Sequence, residues 1–222
     1  MNQPLNQPMN LPVNPPFSPQ PPRSSHHHRP VPDNDAIALL PAFERLGPRE
    51  ITLVSTGDQA RKAQAALAAA PVWGFDTESK PTFRVGELSD GPHVVQLATR
   101  HHARVFQLHE PDCRAVVAAL LAQVGPVKAG FGLGDDRKRI IGKLGVQPQG
   151  ILELNLLFKE RGYRKEMGVK GAVAVLFNQR FIKSKKAATS NWANVQLTEA
   201  QLVYAANDAY AALRAYEALQ AG

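Results

Sequence analysis

The sequence contains a single cysteine, Cys113, among its 222 residues. One cysteine cannot form an intramolecular disulfide, so we expect the protein to work in a reducing compartment such as the cytoplasm, with nucleoid or nuclear association as the alternative. No stretch reaches the ~18 consecutive apolar residues of a membrane-spanning helix. The N-terminus also lacks the charged and apolar regions of a secretory signal. We therefore expect no membrane partner.

Acidic residues are too few to balance the basic ones, because 26 Lys and Arg oppose 19 Asp and Glu and leave a net charge of +7. The excess lies between residues 159 and 186, where nine basic residues accompany two acidic ones. A charge run is usually a solvated surface, but a whole net charge within one segment is typical of a contact with phosphate backbone. The composition thus favours a nucleic-acid partner, and it leaves the oligomeric state open.

The first 33 residues differ in composition from the rest of the chain. They hold ten of the eighteen prolines, together with Asn, Gln, Ser and three consecutive histidines. Such a segment buries too little apolar surface to offset the entropy lost on ordering. We therefore predict a disordered leader over 1–33 and one folded domain over 34–222, with regular structure beginning near Ile51.

Alternating and apolar runs predict strands, and longer periodic runs predict helices. Several strands come first, and strands and helices then alternate, an order that favours an α/β fold with a mixed central sheet flanked by helices. The predicted strands are 51–54, 72–78, 93–98, 104–108 and 127–131. The predicted helices are about 57–70, 113–123, 153–161, 168–177 and one that begins near 198, and the pattern after residue 131 turns helical through Arg139 to Leu144.

The strand Val72–Glu78 ends in two carboxylates, Asp76 and Glu78. Residues two apart on a strand point to the same face, so these like charges should lie side by side and repel. A hard divalent cation such as Mg²⁺ or Mn²⁺ would relieve the repulsion. An isolated pair of this kind more often marks a solvated acidic turn.

Two further segments carry carboxylates in suggestive places. The glycines of 130–134 precede Asp135 and Asp136, and the spacing does not fit a dinucleotide-binding loop because position 135 is not glycine. One of these two aspartates is expected to cap the following helix. On the last predicted helix, Tyr204 and Asp208 are four residues apart and share a face, beside small alanines that allow close packing on the sheet.

Taken together, three ordered segments resemble the DEDD exonuclease superfamily in its tyrosine-bearing (DEDDy) branch. The matching segments are Phe75-Asp76-Thr77-Glu78, the stretch 128–136, and the stretch 204–210, with linking segments at 168–171 and 183–192. The resemblance covers about residues 50 to 220. Within the branch, the sequence is most similar to the exonuclease domains of the Werner syndrome type, with ribonuclease D as a nearby group. This resemblance implies a ribonuclease-H-like fold.

The resemblance also implies an activity, namely 3′-5′ exonucleolytic hydrolysis by two divalent cations, Mg²⁺ or Mn²⁺, with release of nucleoside 5′-monophosphates. By the family pattern, Asp76 bridges both ions, and Glu78 and Asp208 complete the first. Asp136 holds the second. Tyr204 orients the attacking water, because a phenol with a pKa near 10 is a poor base at neutral pH. DNA is the favoured substrate, with a role in DNA repair.

Substrate contacts are expected from a basic groove with aromatic faces, which is how single-stranded ends are commonly held. Two candidates lie in or just after the first motif, namely Thr77 and Phe83, which could stack on the terminal base. Trp192 fits the core equally well. No base-reading pattern is present, so sequence preference should be weak. The remaining candidates are Arg180, Lys183, Lys185, Lys186 and Trp192.

Three other functions fit parts of the pattern. The first is a ribonuclease D-like enzyme that trims RNA 3′ ends. The second is a non-catalytic nucleic-acid-binding module, which is disfavoured because every acidic position is filled. The third is a hydrolase of small phosphate esters, which would leave the basic segment 159–186 without a purpose.

Overall fold

The computed structural model describes residues 28–82 and 89–221. These residues form six strands, β1 to β6, eight α-helices, α1 to α8, and one 3₁₀ helix, Pro48–Glu50. The strands are β1 Ile51–Val54, β2 Val72–Glu78, β3 Val94–Ala98, β4 Ala103–Gln107, β5 Val127–Gly130 and β6 Ile151–Glu153. The helices are α1 Asn34–Ala38, α2 Gly57–Leu67, α3 Pro111–Ala122, α4 Leu133–Leu144, α5 Leu154–Glu160, α6 Val169–Phe177, α7 Lys185–Ala188 and α8 Glu199–Ala221.

The strands form one mixed sheet in the order β1-β4-β3-β2-β5-β6. Strands β2, β3 and β4 pair antiparallel, whereas β1 with β4, β2 with β5, and β5 with β6 pair parallel. The predicted α/β fold with a mixed central sheet is therefore confirmed. Strand β6 was not predicted, because three residues are too few to show a periodicity.

Helices cover both faces of the sheet, as predicted. On one face, side chains of α2, α3 and α4 pack against Trp73, Phe75 and Leu97. On the other face, the alanine-rich α8 lies across the sheet with α6 beside it. The contact with β2 is closest at Gly74, where a Cβ atom would lie 1.9 Å from the Ala209 carbonyl oxygen. Only glycine allows this approach.

Two helices begin at the capping boxes that the sequence indicates. The Thr56 hydroxyl accepts a hydrogen bond from the Gln59 amide, and the Gln59 side chain accepts one from the Thr56 amide. Thr198 and Gln201 repeat the arrangement ahead of α8. Each box satisfies amide groups that a helix leaves free at its start, and it fixes where the helix begins.

Order begins earlier than the prediction near Ile51. Helix α1 precedes β1, and Phe43 lies buried against α6 and the segment that follows it. Within the predicted leader, residues 1–27 lie outside the described part of the chain. In the described remainder, the Arg29 amide donates to the Gly162 carbonyl and Val31 packs against an apolar cluster under α8. The prediction of disorder up to residue 33 is therefore wrong for these residues.

The start of α4 also differs from the prediction. The helix begins at Leu133, directly after Gly132, which adopts a left-handed conformation with φ of 70°. Asp135 and Asp136 therefore lie in the first turn, and neither caps the helix. Gly132 turns the chain sharply from β5 into α4, so the carboxylates fall one turn later than a capping position would place them.

No helix within residues 28–82 and 89–221 has the combined length and apolar character that a membrane crossing requires.

Candidate active site

Three carboxylates converge at the end of β2. Asp76 and Glu78 share the face of the strand that α8 covers, and Asp208 reaches them from that helix. One oxygen from each of the three lies within 4.8 Å of the others. Because α8 packs closely on Gly74, Asp208 lies near the strand. The contact between Gly74 and Ala209 in the core therefore positions the three carboxylates.

Asp136 lies next to this cluster and outside it. Thr77 lies between Asp76 and Glu78 in the sequence. Its hydroxyl donates a hydrogen bond of 2.6 Å to Asp136 Oδ1. Arg139, one turn along α4, places a guanidinium nitrogen 3.8 Å from the same oxygen. Asp136 is near enough to raise the pKa of Asp76. Thr77, which was proposed as a substrate contact, thus holds Asp136 beside the three clustered carboxylates.

The pKa values of the four carboxyl groups are raised in the folded protein. Burial, followed by the charges of Asp208 and Asp136, raises the pKa of Asp76 well above its usual value. Burial and the charge of Asp76 raise the pKa of Glu78 to about 9. Burial also raises the pKa values of Asp136 and Asp208. Burial is the first cause of all four shifts, and repulsion between neighbouring carboxylates adds to it for Asp76 and Glu78. A bound cation would favour the ionised form of these groups.

Lys183 supplies one positive charge to this pocket. Its Nζ lies 2.6 Å from Asp208 Oδ2 and 5.0 Å from the centre of the Tyr204 ring. Burial disfavours the charged lysine, but the Asp208 carboxylate outweighs burial and raises the pKa of Lys183. Lys183 was proposed as a substrate contact, and here it contacts a candidate metal ligand.

Tyr204 lies one helical turn before Asp208. Burial and the Asp208 charge both raise the pKa of the Tyr204 phenol, so it is neutral at physiological pH. A neutral phenol donates and accepts hydrogen bonds but does not remove protons efficiently. Its position fits the expected role of orienting a water.

Some buried polar atoms in the site have no hydrogen-bond partner among the described residues. Asp208 Oδ1 is one, and Asp208 Oδ2 has only the ion-pair contact with Lys183. Buried carboxylate oxygens are normally satisfied by donors or by metal ions. The donor set is all oxygen, as Mg²⁺ and Mn²⁺ prefer. The residues present therefore fit divalent cations.

Gln96 is a site residue that the sequence reasoning missed. It lies directly opposite Asp76 in the β2–β3 pair, on the same face, and is fully buried. Neither atom of its side-chain amide has a partner among the described residues. The available signal was a single polar residue inside the otherwise apolar strand Val94–Ala98, and the strand pairing gives that residue its place beside Asp76.

The other proposed substrate contacts separate into four groups. Trp192 is 1% exposed and packs against Tyr204 with ring centres 5.9 Å apart, so its role as a stacking surface is wrong and it belongs to the core. Lys185 and Lys186 are exposed on α7. Arg180 is partly buried, with Nη1 donating to the Ala38 carbonyl. Phe83 lies outside the described residues.

Comparison with known proteins agrees with this geometry. A family model described as 3′-5′ exonuclease matches residues 51–221. The mouse bifunctional 3′-5′ exonuclease/ATP-dependent helicase WRN is 30% identical over 157 residues, which is 69% of this chain and 11% of the mouse protein. An Arabidopsis thaliana 3′-5′ exonuclease is 27% identical over 149 residues, or 66% of this chain and 52% of the plant protein. The matched region thus spans only part of both relatives.

Solved structures share the fold. The Nibbler EXO domain of Aedes aegypti superimposes with a TM-score of 0.68 at 23% identity, covering 80% of this chain and 90% of that domain. Escherichia coli RNase D gives 0.67 at 22% identity, covering 77% and 44%. The predicted ribonuclease-H-like fold is thereby confirmed. With a family match over residues 51–221, the chain belongs to the 3′-5′ exonuclease family.

Proposed function

We propose that this protein is a metal-dependent 3′-5′ exonuclease that removes nucleotides one at a time from nucleic-acid 3′ ends and releases nucleoside 5′-monophosphates. The observation that carries the proposal is the convergence of Asp76, Glu78 and Asp208 within 4.8 Å, with Asp136 beside them. A solvated acidic turn would not leave Asp76 and Glu78 half-buried, Asp208 buried and Asp208 Oδ1 without a donor among the described residues.

Divalent cations would be held by Asp76, Glu78 and Asp208, with Asp136 as a further ligand. Four carboxylates provide enough oxygen ligands for two cations. Such cations lower the pKa of a water and stabilise the oxygen that leaves a phosphodiester. Thr77 supports this arrangement because its hydroxyl fixes the orientation of Asp136. An orienting partner of this kind typically contributes about 10–100-fold to metal affinity or activity.

Tyr204 would position the attacking water through its hydroxyl. The raised pKa keeps the phenol protonated, so it can donate to an oxygen of the water or of the phosphate without itself becoming charged. The tilted contact with the buried Trp192 ring limits where the phenol can move. Rigid placement of the hydroxyl is what a positioning role requires.

DNA is the proposed preferred substrate, and the 30% identity with the mouse bifunctional 3′-5′ exonuclease/ATP-dependent helicase supports the exonuclease activity that this proposal requires. Trimming of RNA 3′ ends is the second candidate. It is supported by the fold shared with Trypanosoma brucei RNase D in a complex with RNA U12, at a TM-score of 0.69 and 20% identity. Both candidates use the same carboxylates and differ only in how the sugar is recognised.

The test compares matched DNA and RNA strands, each labelled at the 5′ end, with Mg²⁺ or Mn²⁺. Stepwise shortening with nucleoside 5′-monophosphate as product supports the proposal, and a strand closed into a circle should resist. Asp76→Asn should lower the rate by at least about 100-fold, because losing a shared ligand removes several kcal/mol of transition-state stabilisation. A rate within tenfold of wild type would overturn the assignment.

A further inference from the structure

A cavity of about 420 Å³ lies beside the carboxylates, between α1 and the segment that follows α6. We call it the basic cavity. Lys183 lines it and also contacts Asp208, so the cavity and the candidate active site share one side chain. Within the described part of the chain, no carboxylate lines it. The residues that line it and carry the argument are Ile37, Lys170, Arg180, Phe181, Ile182 and Lys183.

The charge of the basic cavity is poorly balanced. Among the described residues, neither Lys170 nor Arg180 lies within 4.0 Å of an acidic side chain, since their contacts are neutral oxygens. Lys170 Nζ is 2.8 Å from the Asn34 side-chain oxygen, and Arg180 Nη1 is 3.1 Å from the Ala38 carbonyl. Arg180 Nε is buried without any partner in that part of the chain. The cavity therefore suits an anion.

Apolar side chains line the basic cavity together with the basic ones. Ile37 and Phe181 are almost fully buried behind it, and Ile182 is 46% exposed. Apolar side chains next to basic ones match a nucleotide, which combines an apolar ring face with a phosphate. The volume also falls in the range of roughly 300–1,000 Å³ that is common for small-ligand sites.

We propose that the basic cavity binds a nucleotide of the substrate strand on the 5′ side of the bond that is cleaved. The proposal rests on the proposed exonuclease function. The reacting phosphate would lie at the carboxylates. Because these carboxylates do not line the cavity, a group bound in the cavity lies at a distance from that phosphate. Only one nucleotide lies on the 3′ side of that phosphate, whereas the strand continues on the 5′ side. Lys183 lies at the boundary between the two sites.

The test compares two substrates that differ in whether they reach the basic cavity. The p-nitrophenyl ester of thymidine 5′-monophosphate offers the nucleotide to be removed and, in place of the preceding strand, only a p-nitrophenyl leaving group without a sugar or a phosphate of its own. Oligothymidylates of increasing length also offer the preceding nucleotides. Lys170→Gln and Ile182→Ser should raise the KM for the oligonucleotides relative to that for the ester by roughly three- to tenfold, as expected for one lost charged or stacking contact. Lys62→Gln, an exposed lysine on α2, is the matched control.

Binding provides a second readout that does not depend on cleavage. In an Asp76→Asn background, the affinity for a fluorescent oligothymidylate is measured by anisotropy over a series of salt concentrations. For a single strand, each lost phosphate contact lowers the slope of log affinity against log salt by about 0.7. Lys170→Gln should lower it by that amount, and Lys62→Gln should leave it unchanged.

The outcomes separate the two proposals. If the variants change the KM of the ester and of the oligonucleotides equally, the cavity holds the terminal nucleotide and our inference is overturned. It is equally overturned if neither the KM ratio nor the salt slope changes. If the wild-type protein cleaves neither substrate, the proposed function fails, while the anisotropy series still decides whether the cavity binds the strand.

Discussion

The Lys183 ammonium lies 2.6 Å from the Asp208 carboxylate, with the Tyr204 ring 5.0 Å away. Asp208 is buried in the same cluster as Asp76 and Glu78, so the lysine neutralises part of a concentrated negative charge. A divalent cation held by these carboxylates would compete with the lysine for Asp208.

We expect Lys183→Met to tighten Mn²⁺ binding by about three- to tenfold, because the ion no longer competes with a resident positive charge. Titration calorimetry at a pH above 8 measures the Kd while limiting competition from protons. Lys185→Met, which changes an exposed lysine of α7, should leave the Kd unaltered. An unchanged or weaker affinity in the Lys183 variant would show that the lysine does not compete for the site.

The stability of the metal-free protein should fall as the pH rises from about 4.5 to about 9. The pKa of Glu78 is 4.5 as an unperturbed group and about 9 in the fold, so the folded state binds a proton that the unfolded state releases over this range. Raising the pH then favours unfolding. Thermal unfolding in the presence of a chelator at several pH values measures the effect.

Two controls accompany the pH series. Glu78→Gln should make the profile shallower, since one of the four carboxyl groups with a raised pKa is gone. Excess Mg²⁺ should restore stability, and more so at high pH, because a cation binds the ionised carboxylates. A metal-free Tm that rises between pH 5 and pH 8 would contradict the raised pKa values.

Asp136→Asn should reduce cleavage strongly, by about 100-fold or more, whereas Asp135→Asn should leave it within about twofold. The two aspartates are neighbours in the first turn of α4, but Asp135 is exposed and paired with Lys138, and Asp136 is held by Thr77. Single-turnover cleavage of a labelled strand measures both rates. Equal effects would mean that helix position, and not the contact with Thr77, decides the role.

Thr77→Val should lower the rate by about tenfold, because Asp136 loses the hydroxyl that orients it while the volume is conserved. Thr77→Ser, which keeps the hydroxyl, should recover most of the rate. The Mn²⁺ concentration needed for half-maximal rate should rise in the valine variant only. Failure of serine to rescue would indicate that packing at position 77, and not the hydrogen bond, matters.

Gly74→Ala should destabilise the fold by about 2 kcal/mol or more, because the new methyl group would meet the Ala209 carbonyl at 1.9 Å and force α8 away from the sheet. Activity should fall with it, since Asp208 moves too. Gly142→Ala is the matched control, as a Cβ there meets nothing within 4 Å and α4 should gain roughly 0.5–1 kcal/mol. Chemical denaturation of both variants measures the difference.

Much of the sheet and of the carboxylate set could be predicted because the signals are local. A buried run that ends in Asp76 and Glu78, and a helix that carries Tyr204 and Asp208 four residues apart, are visible in the sequence pattern. The resemblance to the exonuclease family then supplied the link between these distant segments. Strand β6 and the beginning of α4 were missed because three residues and one left-handed glycine leave little periodic signal.

Other features depend on contacts between residues far apart in sequence, and a local pattern does not report them. Lys183 pairs with a buried carboxylate, and Trp192 packs inside the core, although both stand in a segment that reads as a basic surface. Gln96 belongs beside Asp76 only because β3 pairs with β2 in one register. The packing of Val31 and Phe43 likewise depends on helices encoded more than a hundred residues later.

The packing of α8 against Gly74 has a consequence for folding during synthesis. Asp76, Glu78 and Asp136 are all translated before Asp208, so a growing chain carries most of the acidic pocket but not the residue that closes it. A nascent chain in which α8 has not yet packed on Gly74 therefore lacks the third carboxylate, and the cluster of Asp76, Glu78 and Asp208 is complete only once that helix has folded onto the sheet.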